Sequence, residues 1–182
     1  MLLKRRIQIS LVLLCVAAAV FGISRWQINL GVWGAAWNGN LPDLRRRLDQ
    51  GGNPDSSWQG VTALGGAIWH KHRPEAVLLL QRGADPDSGV FDAVRRGDPA
   101  LVNLMFAHGL DAQGKETKRA LSFAILDGRV DMVAVLLKHG VNPNARNADG
   151  NITFWQDAHT PEALQQHDSP HILALLRAAG AK

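Results

Sequence analysis

Seven histidines, sixteen acidic residues and one cysteine are the side chains of this 182-residue sequence that could hold a metal or move a proton. Their spacing works against both. His70 and His72 are two positions apart and, on a helix, would point to different sides. His167 and His171 straddle a helix start signalled by Ser169-Pro170, so they are not a ligand pair one turn apart, and a zinc site needs three or four convergent ligands. The stretch "NARNADGN" from Asn144 has the look of a calcium loop, but Gln156 stands where a bidentate Glu is required, and a fingertip is the better reading. Asp85 and Asp87 flank Pro86 in a turn, which accounts for them before acid–base chemistry does. The sequence has no Gly-x-Ser-x-Gly, no phosphate-cradling glycine loop and no nucleophile beside a base. A chain without enzymatic activity, cofactor or metal is expected.

The formal charge of +4 is concentrated at one end. Lys4, Arg5, Arg6 and Arg25 are four of the twenty Lys/Arg, leaving sixteen against sixteen Asp/Glu in the remainder. A neutral body lacks the basic footprint of a nucleic-acid binder. The three clustered cations precede an uncharged run, residues 7–23, which at 1.5 Å per residue extends about 26 Å as a helix, the short end of a membrane span. Ala17, Ala18 and Ala19 offer a cleavage site near Ala19, whereas Phe21, Ile23 and Trp26 carry the apolar character beyond it and favour an uncleaved anchor. Cys15 follows Leu14 rather than a small residue, which argues against lipid attachment, and as the sole cysteine it forms no disulfide framework. The cations orient residues after Arg25 to the far side of the membrane.

The remaining chain repeats itself. "DQGGNPDS" at 49–56, "QRGADPDS" at 81–88, "AHGLDAQG" at 107–114 and "KHGVNPNA" at 138–145 are one phrase in four copies. In register, Gly51, Gly83, Gly109, Gly140 and Gly180 are spaced by 32, 26, 31 and 40 residues. Before each phrase runs an apolar helical pattern, such as Leu78-Leu79-Leu80 or Met132 to Leu137, and the glycine suits the left-handed residue that ends a helix. Pro42, Pro74, Pro99 and Pro170 mark the first turns of these helices, where a missing N–H costs nothing, and Asp98 or Ser169 can cap. Ala35, Ala36, Ala67, Ala93 and Ala124 lie on the preceding helices, where small residues permit close packing.

A period near 33 with paired helices resembles the ankyrin repeat. "GVTALGGAI" at 60–68 is similar to that family's Gly-x-Thr-Pro-Leu-His-x-Ala-Ala stretch, with Ala63 for Pro and Gly65 for His; "ALSFAI" at 120–125 is a weaker match. The resemblance implies an all-α solenoid of about five helix pairs over residues 26–182, after an apolar N-terminal helix within 1–25. The repeats would span roughly 30–57, 58–88, 89–114, 115–146 and 147–182. The third copy is short and lacks most of its hairpin, and the fifth is degenerate, with about eight residues inserted around "TPEALQQH". His108 and His139 precede register glycines, where the family often carries His and where the ring can satisfy helix-end carbonyls.

The resemblance also implies where a partner would bind. The two residues after the small pair on each first helix are free in the family: here Trp37 and Asn38, Trp69 and His70, Arg95 and Arg96, Leu126 and Asp127, with Trp58, Gln59 and Val61 at a fingertip. Trp37 and Trp69 would then lie side by side on the concave face with Trp58 close by, or fold inward over the exposed end of the first repeat or onto the leader. Exposed Trp and Arg give much contact for little ordering cost. Arg45-Arg46-Arg47 reads as a solvated helix face, and its nearness to the leader would suit contact with anionic lipid head groups. The implied function is a monomeric protein-binding module, single-pass in the inner membrane of a bacterial envelope with its repeats in the periplasm, or exported after cleavage. The partner is another protein and not a nucleic acid. A narrower alternative is an immunity or inhibitor protein that neutralises a cognate toxin or enzyme.

Overall fold

The computed structural model of the chain describes residue 22, residues 25–144 and residues 169–181. The apolar leader apart from Gly22, the cleavage position, His167 and the insertion of the fifth repeat lie outside the described residues, as does all but Asn144 of the fingertip from that residue. Helix α1 covers residues 25–37 and α2 Leu41–Asp49. A hairpin of β1 (Ser57–Trp58) and β2 (Val61–Thr62) leads into α3 (Ala63–Trp69) and α4 (Arg73–Gln81). After a 3-10 turn at Pro86–Ser88 come α5 (Val90–Arg96), α6 (Pro99–Ala107), α7 (Lys115–Leu126), α8 (Val130–Lys138) and α9 (Ser169–Ala178). Among the described residues no helix is long and apolar enough to cross a membrane.

The recurrent phrase closes helices by one set of bonds. Gly51, Gly83, Gly109, Gly140 and Gly180 have φ between 83° and 95°, the left-handed region. The residue after each donates its N–H five residues back: Gly52 to Arg47, Ala84 to Leu79, Leu110 to Met105, Val141 to Leu136 and Ala181 to Leu176, at 2.9–3.3 Å. Helix-end carbonyls are thereby satisfied. The Asp or Asn that follows accepts from the backbone N–H two residues on, as in Asn53, Asp85, Asp111 and Asn142, at 2.8–3.0 Å. These side-chain turns are also tied across repeats, since Asp85 N–H donates to Asp55 at 2.7 Å and the Asn144 side chain to Gly180 O at 2.8 Å.

Turns between paired helices use the same five-back closure onto the small residues: Asn40 to Ala35, His72 to Ala67, Asp98 to Ala93 and Arg129 to Ala124. Three of them place a glycine in the left-handed position, Gly39, Gly97 and Gly128, with φ of 69–71°. The fourth places Lys71 there, with φ of 64°. A side chain in that conformation costs about 1 to 2 kcal/mol, so Lys71→Gly is expected to add about 0.5 to 1 kcal/mol of stability once the extra freedom of the unfolded chain is subtracted, read as a higher urea midpoint.

Two of the proline-marked helix starts carry a side-chain cap. Asn40 accepts from Asp43 N–H at 3.1 Å, and Asp98 from Leu101 N–H at 2.9 Å. Pro42, Pro74, Pro99 and Pro170 all fall at the first or second helical position. The core threads the stack: Ala36, Leu44, Ala67, Leu79, Ala93, Met105, Leu121, Ala124, Leu136 and Leu176 are inaccessible to solvent, and each leucine contributes about 1.5 to 3 kcal/mol of burial.

The finger is built only once among the described residues. Trp58 pairs with Val61, and Gln59 and Gly60 between them have φ of 50° and 80°, the two-residue turn that matches strand twist. The third copy replaces its finger with the 3-10 turn, in line with its short spacing. In the fourth the same stretch becomes helix, because α7 begins at Lys115 and buries Thr117, whose hydroxyl donates to Asp111 O at 2.8 Å.

Candidate protein-binding face

First helices α3, α5 and α7 pack in series, which brings their C-terminal ends into one row. Trp37, at the end of α1, is half-buried: it stacks on Trp33 at 5.0 Å, meets the edge of His70 at 4.2 Å and covers Gly66 of α3. A Cβ at Gly66 would lie 2.9 Å from its ring, which explains a glycine in mid-helix despite a propensity cost of about 1 kcal/mol. Trp37 is therefore an inter-repeat packing residue more than an open anchor. Trp69, one repeat on, is 43% exposed. The Arg95 guanidinium lies 3.9 Å from its ring centre and that of Arg96 5.0 Å, with Arg96 also donating to the Trp69 carbonyl.

The other candidates divide in the same way. Arg96 is exposed, whereas Arg95 is half-buried, bonded to Asp92 at 3.2 Å, with its Nε buried and unpartnered. Leu126 and Asp127 are exposed, and Asp127 pairs with Arg129 at 2.6 Å. Asn38 is a turn residue as well as an exposed one, since its amide donates to Gly34 O at 2.8 Å. Trp58 does not join this row. It lines a recess with Trp26, Asn29 and Leu30 at the other end of α1, and the eleven helical steps from Trp26 to Trp37 put about 16 Å between those ends. Gln59 and Val61 are exposed on the same hairpin.

Three further expectations are corrected. His70 and His72 do not point apart: α3 ends at Trp69, and the left-handed Lys71 between them swings the rings into a stack 6.0 Å apart, with His72 over Gly39. His139 reaches the neighbouring second helix rather than carbonyls of its own, bonding Asn103 at 2.6 Å and stacking on Phe106 at 4.1 Å. Arg47 is half-buried rather than fully solvated, because it bonds Asp43 at 2.7 Å and lies against α1 at Gly31. That bond, with a second from Arg46, holds the Asp43 carboxyl below its ordinary pKa. Its contribution is present at neutral pH and is lost in acid.

Asp92 shifts oppositely. Burial raises its pKa above the ordinary 3.8 although Arg95, Arg96 and Arg119 oppose the shift. A folded state that holds the proton more tightly loses stability as pH rises from about 3.8 through the raised value. Asp87 acts in the same sense, through burial and its acidic neighbours. Asp92→Asn should flatten part of that decline, measurable as urea midpoints across the acidic range.

The recurring caps, side-chain turns and helix pairs now have a counterpart among known proteins. Residues 105–154 match the family model for ankyrin repeats in many copies. No curated protein matches the chain. The matched stretch begins late in α6 and takes in α7 and α8, and the same cap and turn bonds recur outside it, from α2 to α6 and at Gly180. The match to ankyrin repeats suggests a protein–protein interaction module, and Trp69 and Arg96 lie N-terminal to the matched stretch.

Proposed function

We propose that the chain is a protein-binding module without catalytic activity. It holds one partner protein, as a monomer, on the row formed by Trp69, His70, Arg96, Leu126 and Asp127. The observation that carries this reading is Trp69: a large ring, 43% exposed, with the Arg95 and Arg96 guanidinium groups 3.9 and 5.0 Å from its centre. Such a pre-ordered aromatic surface binds with little entropic cost. The leader at 7–23 would tether the module in a bacterial inner membrane, with the repeats on the periplasmic side because the cations precede the apolar run.

The test is recovery of a partner from detergent-solubilised membranes by the full-length chain. A protein retained by the parent and lost by Trp69→Ala and Arg96→Ala supports the face; retention by both variants refutes it. A reporter active only in the periplasm, fused after Lys182, should work, and activity of a cytoplasm-only reporter would overturn the orientation.

A further inference from the structure

A recess of about 290 Å³ opens between the helix-to-helix turns of the second and third repeats, with Arg96, which donates to the Trp69 carbonyl, on its lining. Ile68 and Leu101 form its apolar lining, and its polar lining carries three cations, Lys71, Arg73 and Arg96, against one carboxylate, Asp98. Asp98 is already taken by Arg73. Lys71 and Arg96 enter no ion pair among the described residues. Arg129 lies against Gly97 at the edge, with its charge matched by Asp127.

Lys71 is the informative member. It occupies the left-handed position that the three equivalent turns give to Gly39, Gly97 and Gly128. Its side chain is exposed and makes no ion pair that would offset that conformation. Strain retained without a folded-state return is a mark of a functional position. We propose that the recess receives an Asp- or Glu-bearing segment of the protein partner, with Lys71 and Arg96 recognising the carboxylate and Trp69 packing on the adjoining chain. This rests on the reading of the first-helix row as a protein-binding face. A peptide carboxylate fits better than a polyanion, because Asp98 stands in the same recess and the chain beyond Arg25 is balanced at sixteen cations to sixteen anions, so no basic track leads away from it.

The probe is a fluorescent capped hexaglutamate peptide, titrated against the full-length chain in neutral detergent, with hexalysine and inorganic phosphate as comparators. Saturable binding of hexaglutamate is expected, weakened about tenfold by Lys71→Gly or Arg96→Gln and kept by Lys71→Arg. Lys71→Gly should lose this binding while melting higher than the parent, which separates recognition from misfolding. Equal binding of hexalysine, unchanged binding by Lys71→Gly and Arg96→Gln, or displacement of the peptide by equimolar phosphate would each overturn the proposal. A chain that captures a partner through Trp69 yet ignores hexaglutamate would keep the binding face and remove the acidic occupant.

Discussion

Trp69→Ala is expected to weaken partner binding about thirtyfold while costing about 1 kcal/mol of stability, and Trp37→Ala to cost about 2 to 3 kcal/mol. The two residues hold equivalent positions in adjacent repeats, so the split comes from what each ring touches. Trp37 is covered by Trp33 and His70 and rests on Gly66, so its removal opens a gap between the first two repeats. Trp69 is 43% exposed and loses two cation–π contacts with the part of its surface that is covered. For a chain of this size the Trp37 variant should melt about 4 to 12 °C lower, and the Trp69 variant within about 4 °C of the parent. Equal melting shifts would mean that the two rings are equally buried in solution, and the binding row would then reduce to His70, Arg96, Leu126 and Asp127.

Helix ends and starts are legible in the sequence because each is a local demand. A left-handed residue wants glycine, a side-chain turn wants Asp or Asn, and a first turn tolerates proline, so the register of Gly51 to Gly180 carries the architecture. Contacts between repeats are less legible. Whether Trp37 opens to solvent depends on Gly66, twenty-nine residues later, and whether Arg47 is solvated depends on Gly31 across a helix pair. On a continuous helix His70 and His72 diverge; ending the helix at Trp69 brings them together. Lys71 does carry a signal. The parallel stretches "WNGN", "WHKH", "RRGD" and "LDGR" show one lysine in a column of glycines.

Two glycines of the recurrent phrase should differ in how badly they tolerate valine. Gly83 has φ of 86° and open space where a Cβ would stand, so Gly83→Val meets backbone strain alone, about 1 to 2 kcal/mol. Gly52 has ordinary backbone angles and is buried; a Cβ there would lie 2.6 Å from Val32 and 2.8 Å from the Arg47 carbonyl oxygen. Backbone cannot yield as a side chain can, and that oxygen also accepts the Gly52 N–H that closes α2. Gly52→Val must therefore push α1 from α2 or break the cap, at about 3 kcal/mol or more. Thermal midpoints should fall about 2 to 8 °C for Gly83→Val and about 6 to 12 °C for Gly52→Val. The reverse order would place the main constraint in the left-handed turn and loosen the contact between α1 and α2, on which the position of Trp37 depends.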